Sequence, residues 1–437
     1  MLKKLQSLDL RNNSIEQKLL SEEWKIWTVS AVMAFVFAII SWFFVLAHQP
    51  AEKLQKDAHR PQYVINLWQT CGFRATVGLS FSECPQMNPH ALVYQTRPPA
   101  YLYPYYFFLR VSHSPFKINS FLLVNISLVW LATVLIGYLG IRLMQDFNFP
   151  SISTILLAGA GQFIFFTFPF NLKLFDLPYE EFYSVIFLLG FLITEERILS
   201  TGSSTIPLRI FRFLSIFLMT YMDKPFGLIA ITIYILLIFL LDRSRMKDRL
   251  IFWTVLIPAF SGAMLHLAQL GIFKLNWPET AFIGGSFLWR SGFDGATIYA
   301  GILTIGNIGE HSPAVRYLTL LLFLPLLFMF FRPDRLHRML SAFPVYAAGC
   351  YMVLGYTFSQ MVLIHYYLHD LFLIPITVLL IYLVVPYLES LTKNTGVITF
   401  IVLILALCLV TYQFRAFAVA NPQALPEPPW REYIDFG

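Results

Sequence analysis

The sequence predicts an all-α polytopic membrane protein with about eleven transmembrane helices and a long first outer loop carrying interfacial helices. Three observations lead there. Of 437 residues, 57% are hydrophobic and only 13% charged, with a mean hydropathy of +0.64, more apolar surface than a water-soluble domain can hide. Apolar runs of about 17–25 residues, the length that crosses a hydrocarbon core, recur almost end to end. The basic residues gather in short loops between those runs, where they report topology. The formal charge of +6 and the pI near 9.0 therefore point to a lipid bilayer as partner and to no nucleic acid. One membrane domain, 1–437, is expected, with no internal repeat or low-complexity tract.

The first 24 residues are polar and of mixed charge, and the apolar run 27–47 lacks a small-residue cleavage site, so it reads as an uncleaved first span. Later spans are expected at 118–144, 151–170, 183–194, 207–222, 226–241, 250–270, 314–331, 339–358, 371–388 and 397–411. A cytoplasmic amino terminus places Arg209, Arg212, Arg243, Arg245, Lys247, Arg249, Arg332, Arg335 and Arg338 in short loops on one side, as the positive-inside rule requires. The opposite face receives 48–117, 171–182, the turn at Asp223 and Lys224, 271–313, 359–370 and the tail from Gln413. Carboxylates, histidines and aromatics outside the basic loops concentrate there. A multi-pass protein of a bacterial inner membrane, with its site and carboxyl terminus on the outer face and with 48–117 and 271–313 capping that site, is the expectation.

The first outer loop, roughly 70 residues, is too long for a plain connection. Within it, Tyr63, Leu67 and Trp68 suit an amphipathic helix lying on the bilayer. Cys71 and Cys84 flank a short stretch in which an oxidising compartment permits a disulfide; two idle thiols are the alternative. Cys350 and Cys408 fall in spans and read as apolar filler. Next comes Thr96-Arg97-Pro98-Pro99-Ala100-Tyr101-Leu102-Tyr103-Pro104, followed by Tyr105, Tyr106, Phe107 and Phe108. Its two leading prolines impose an extended turn and delay any helix, holding Arg97 near the interface. On its own, this is equally a proline corner with an aromatic belt.

The stretch resembles the Arg-Thr/Pro-Pro-Gly/Leu-Tyr-Pro segment of GT-C class membrane glycosyltransferases, particularly the protein mannosyltransferase and lipid A aminoarabinose transferase type. Three more segments resemble family segments in the same order. Phe175-Asp176-Leu177-Pro178-Tyr179-Glu180-Glu181-Phe182 is similar to an Asp-x-Pro segment, and Met222-Asp223-Lys224-Pro225-Phe226-Gly227 to a Thr-Lys-Gly/Pro-x-Gly turn. The run from His365 through Tyr366 and Tyr367 to Pro375 is similar to the entry of a late span. The resemblance implies an inverting transfer of a sugar from a polyprenyl-phosphate donor to a lipid, glycan or protein acceptor at the periplasmic or luminal face. A lipid-linked donor also agrees with the absence of a Gly-rich phosphate loop and of Asp-x-Asp.

Such transfer needs a carboxylate to take the acceptor's proton and cations to steady the departing phosphate. By resemblance Asp57 is the base, and Asp176 a second catalytic carboxylate; the plain readings are an exposed loop aspartate and a helix cap. Glu180 and Glu181 favour a helix start through its dipole, with Glu180 a further site candidate. Lys224 lies between two apolar runs, where a charge must reach water, a lipid phosphate or a partner. Arg97 and Arg290 can bind phosphate at two points, and His365, Tyr366 and Tyr367 line the same pocket in this reading. His365, His369, Asp370 and Glu310 raise the question of a divalent metal, but the zinc-protease glutamate is missing and no cofactor is required. Two other classes stay open: a lipid-linked sugar transporter or flippase, and a glycan polymerase or ligase.

Overall fold

The computed structural model describes residues 23–41, 43, 59–80, 82–94, 99–113, 118–145, 151–167, 180–201, 204–241, 251–283 and 394–419. These residues are mostly helical. The first helix, α1 (Glu23–Ser41), is followed by α2 (His59–Cys71), α3 (Tyr103–Ser112), α4 (Ile118–Gln145), α5 (Ser151–Thr167) and α6 (Glu180–Thr201). Then come α7 (Ile206–Met222), α8 (Lys224–Leu241), α9 (Ile257–Asn276) and α10 (Thr395–Val419). Four described stretches are long and apolar enough to cross a membrane: Glu23–Ser41, Leu123–Arg142, Phe252–Asn276 and Thr395–Tyr412. The expected spans 314–331, 339–358 and 371–388 lie outside the described residues.

Helices α4 and α5 pack together, α10 lies against α5, and α6 bridges α4 to α7, which is flanked in turn by α8 and α9. The shared core is apolar, with Ile136, Tyr138, Phe165, Phe166, Leu189, Phe191, Ile216 and Tyr234 essentially inaccessible. Small residues let the backbones approach, as is usual where helices meet in lipid. A Cβ on Gly262 would collide with Phe217 O and Thr220 Oγ1 of α7, so α9 can lie this close only because that side chain is missing. Similarly, α1, α4 and α5 are joined by Gln162, whose Nε2 donates to Ser30 Oγ (2.8 Å), Thr133 O (3.0 Å) and Ser30 O (3.1 Å).

Proline shapes two entrances. Pro104 sits in the first turn of α3, where its missing N–H costs nothing, after a short 3-10 turn at Ala100–Leu102. The helix therefore starts late, as the Pro98-Pro99 pair predicts. Pro258 opens α9. Its ring would clash with the carbonyl four residues earlier, and the preceding turn, Phe252–Leu256, widens to a π-helix in response.

The two ends of the bundle differ. At one end, called the stapled end below, a second core joins α2, β1 (Leu92–Tyr94) and α3 to the ends of α4, α6, α7 and α9, through Trp68, Tyr101, Tyr106, Phe121, Tyr183, Tyr221 and Phe273. Strand β1 pairs in parallel with β2 (Ala281–Ile283), tying the first long loop to the segment after α9. Helix α2 corrects an expectation. Val64, Ile65, Trp68 and Cys71 recur at helical spacing, but they are buried against protein, and Trp68 is inaccessible with its Nε1 donating to Leu79 O (2.8 Å). Amphipathicity alone does not distinguish a lipid-facing helix from one covered by a loop. Instead α3 exposes Phe107, Phe108 and Val111 while burying Tyr105, Tyr106 and Leu109.

Candidate functional site

At the stapled end, Cys71 and Cys84 form a disulfide. It closes a turn in which Gly72, Val77 and Gly78 all have positive φ, a conformation that Gly adopts without strain. Trp68 packs against Phe73, Tyr103 and Tyr106 inside this turn. From the turn, Gly78 O accepts a hydrogen bond from Tyr103 Oη (3.0 Å), and Val77 O accepts one from Gln269 Nε2 of α9 (3.1 Å). Tyr221 closes the network, its hydroxyl donating to Gln269 Oε1 (2.9 Å) and lying 3.2 Å from Tyr103 Oη. Burial, then the neighbouring Tyr221, hold the Tyr103 phenol well above its usual ionisation range. Tyr63, whose hydroxyl donates to Ser82 O, is pushed the same way by burial and by Glu83.

Beside this network runs the α7–α8 corner. Helix α7 ends at Asp223, which takes an extended conformation, and α8 starts at the next residue, Lys224. So sharp a corner needs Gly227: a Cβ there would stand 2.6 Å from Thr220 Cγ2. Asp223 is fully buried and Lys224 half-buried. The Lys224 Nζ lies 2.6 Å from Nδ1 of His266, an inaccessible residue of α9. An ammonium only donates, so opposite a charged Lys224 the Nδ1 accepts, and the ring is then neutral with its proton on Nε2. Among the described residues, that Nε2 meets no hydrogen-bond partner. His266 and Gln269, three residues apart, place the ring and the amide on one side of α9.

The far end of the bundle carries the carboxylates that the one-sided reading did not expect. Glu195 is paired with Arg212 (2.7 Å), both inaccessible, and Tyr234 donates to the same carboxylate. Arg212 also reaches Tyr234 Oη (2.9 Å) and Thr254 Oγ1 in the π-helical turn (3.2 Å). Glu196 pairs with Arg142 (3.1 Å), while Glu23 binds both Arg197 and Tyr138. Arg209 and Arg212 thus belong to α7 rather than to a loop, and Arg212 holds helices together. Span 183–194 is too short for the same reason: the charges at 195–197 are accommodated by partners and the helix runs on to Thr201.

Of the site residues expected from sequence, the structure brings Lys224, Cys71 and Cys84 to one end, and α6 begins at Glu180 as the acidic start suggested. Asp57, Arg97, Asp176, Arg290, His365, Tyr366 and Tyr367 lie outside the described residues, as do Glu310, His369 and Asp370. Among the described residues no group of three His, Cys, Asp or Glu is placed to hold a metal. Cys408 lies on α10 as an exposed free thiol. Sequence reasoning missed His266 and Gln269, although two polar residues at i, i+3 inside an apolar run were a usable signal. No family model, curated protein or solved structure matches the chain.

Proposed function

We propose that the chain is an all-α GT-C-type membrane glycosyltransferase that moves one sugar from a polyprenyl-phosphate donor to a lipid, glycan or protein acceptor. The observation that supports this most directly is the position of Lys224. Its ammonium stands at the first turn of an apolar helix, half-buried, next to a disulfide-closed aromatic module. A lipid phosphate suits that place, because the isoprenoid tail stays in hydrocarbon while the head meets a cation and the positive end of α8. Asp57 would then take the acceptor's proton and Asp176 contact the reacting sugar, with Arg97 and Arg290 sharing the phosphate and His365, Tyr366 and Tyr367 lining the pocket. In this reading the site lies at the end that carries the module, and that end faces the outside of the membrane.

Purified protein with radiolabelled donor lipid provides the test. Transfer should fall at least about a hundredfold in Asp57→Asn and in Asp176→Asn, with both variants still inserting and melting like the parent. Parent-like turnover in both would reject the carboxylate roles, and parent-like donor binding in Lys224→Ala would reject the phosphate role. A second reading, a transporter of lipid-linked sugar, draws on the π-helical turn before α9 and the buried Glu195–Arg212 pair, since interrupted helices and inward charges also mark transport pathways. Sealed vesicles separate the two: unaltered lipid crossing the bilayer, without glycosylated product, favours transport.

A further inference from the structure

We infer that His266 is a positioning residue that holds the Lys224 ammonium for an anionic lipid head; the inference rests on the donor-phosphate reading of Lys224. A lysine side chain carries four flexible methylenes, and freezing it costs rotamer freedom. A partner built into the protein offsets that cost before any ligand arrives. The partner here is fixed from several directions. His266 is inaccessible; one turn earlier on α9, Gly262 lies against Phe217 O and Thr220 Oγ1 of α7; one turn later, Gln269 is anchored to Val77 O and Tyr221. The ring is therefore held in place on α9, and its Nδ1 offers the lysine a fixed point of contact.

The chemistry of the partner matters as much as its rigidity. An Asp or Glu in the same place would orient the ammonium and neutralise it. A neutral imidazole occupies one N–H of the ammonium through its Nδ1 lone pair at 2.6 Å and adds no negative charge. That choice suits a cation whose task is to attract phosphate oxygens. It also accounts for a histidine in the middle of an apolar helix, where leucine would pack without the cost of a buried polar ring.

The test uses the full chain in phosphatidylcholine nanodiscs with undecaprenyl phosphate as the probe. Relative to the parent, His266→Leu should weaken binding by about tenfold or more, the effect of losing one hydrogen bond to a charged group. His266→Asn should recover most of that loss, because its amide oxygen falls close to where Nδ1 stood. Nitrogen-15 spectra of labelled histidine in the parent should show the ring neutral with its proton on Nε2, and the Lys224→Met variant should alter that signal. Lys224→Ala is the reference. Lost binding in Lys224→Ala with parent-like binding in His266→Leu would overturn the positioning role and leave the donor reading standing. Equal losses in His266→Leu and His266→Asn would also overturn it, since a packing defect gives that pattern. Unchanged binding in Lys224→Ala would overturn the donor reading and the role of His266 with it.

Discussion

The stapled end and the far end hold the same helices together by different means. Charges at the far end are consumed in cohesion: Glu195 and Glu196 meet Arg212 and Arg142, and Glu23 meets Arg197, so each carboxylate ties two helices. Cohesion at the stapled end comes from aromatic packing, a disulfide and neutral hydrogen bonds among Tyr103, Tyr221 and Gln269. Lys224, the cation at its corner, lies 2.6 Å from Nδ1 of the buried His266 ring. A polar group inside an apolar protein is therefore not by itself a sign of chemistry; what its partner does to its charge is the better guide.

The largest effect should come from breaking one far-end pair. Arg212→Leu strands the Glu195 carboxylate in the core and should cost about 3–5 kcal/mol, whereas Arg212→Leu with Glu195→Leu should recover much of it. Thermal unfolding of the two variants in lipid measures the difference, and equal losses would break the contrast between the ends. Next, Cys71→Ser with Cys84→Ser should cost about 3 kcal/mol, the value for a short closed loop. Limited proteolysis should then cut within 72–90 while the far end stays protected; uniform cutting would mean that the ends are not independent. Gly262→Ala should cost about 1–3 kcal/mol by forcing α9 off α7, and amide exchange should rise around His266 and Gln269 before it rises around Arg142.

The smallest effect concerns pH. Because the folded state keeps the Tyr103 proton above the ordinary value of 10.0, folding there is fully supported below that value and weakens as pH climbs through and past it. Tyr103→Phe removes this dependence and should cost about 1 kcal/mol at neutral pH. Stability followed from pH 8 to about 11 should slope downward in the parent and less in the variant. Matching slopes would show that another group carries the titration.

How far the sequence could be read depends on which forces act locally. Helix α4 was legible almost to the residue, because an apolar run of its length has few alternatives, and the start of α3 was legible from Pro98 to Pro104. The Asp223–Lys224 corner was legible because two charges interrupt what is otherwise one apolar run. Partners were not. Nothing near Glu195 in the chain announces Arg212, and nothing near His266 announces Lys224, since those pairs exist only once antiparallel helices have aligned. Helix α2 failed for the same reason: period alone identifies an apolar stripe, and only the turn from Gly72 to Leu79 shows that protein covers it.

Parallel pairing of β1 with β2 has a consequence for biosynthesis. The two strands are roughly 190 residues apart, so at ordinary translation rates β1 waits on the order of 10–40 s for its neighbour. Cys71 and Cys84, only 13 positions apart, can be oxidised long before that. The loop that the disulfide closes can therefore form while the partner strand of β1 is still unmade, leaving one edge of the module open during synthesis.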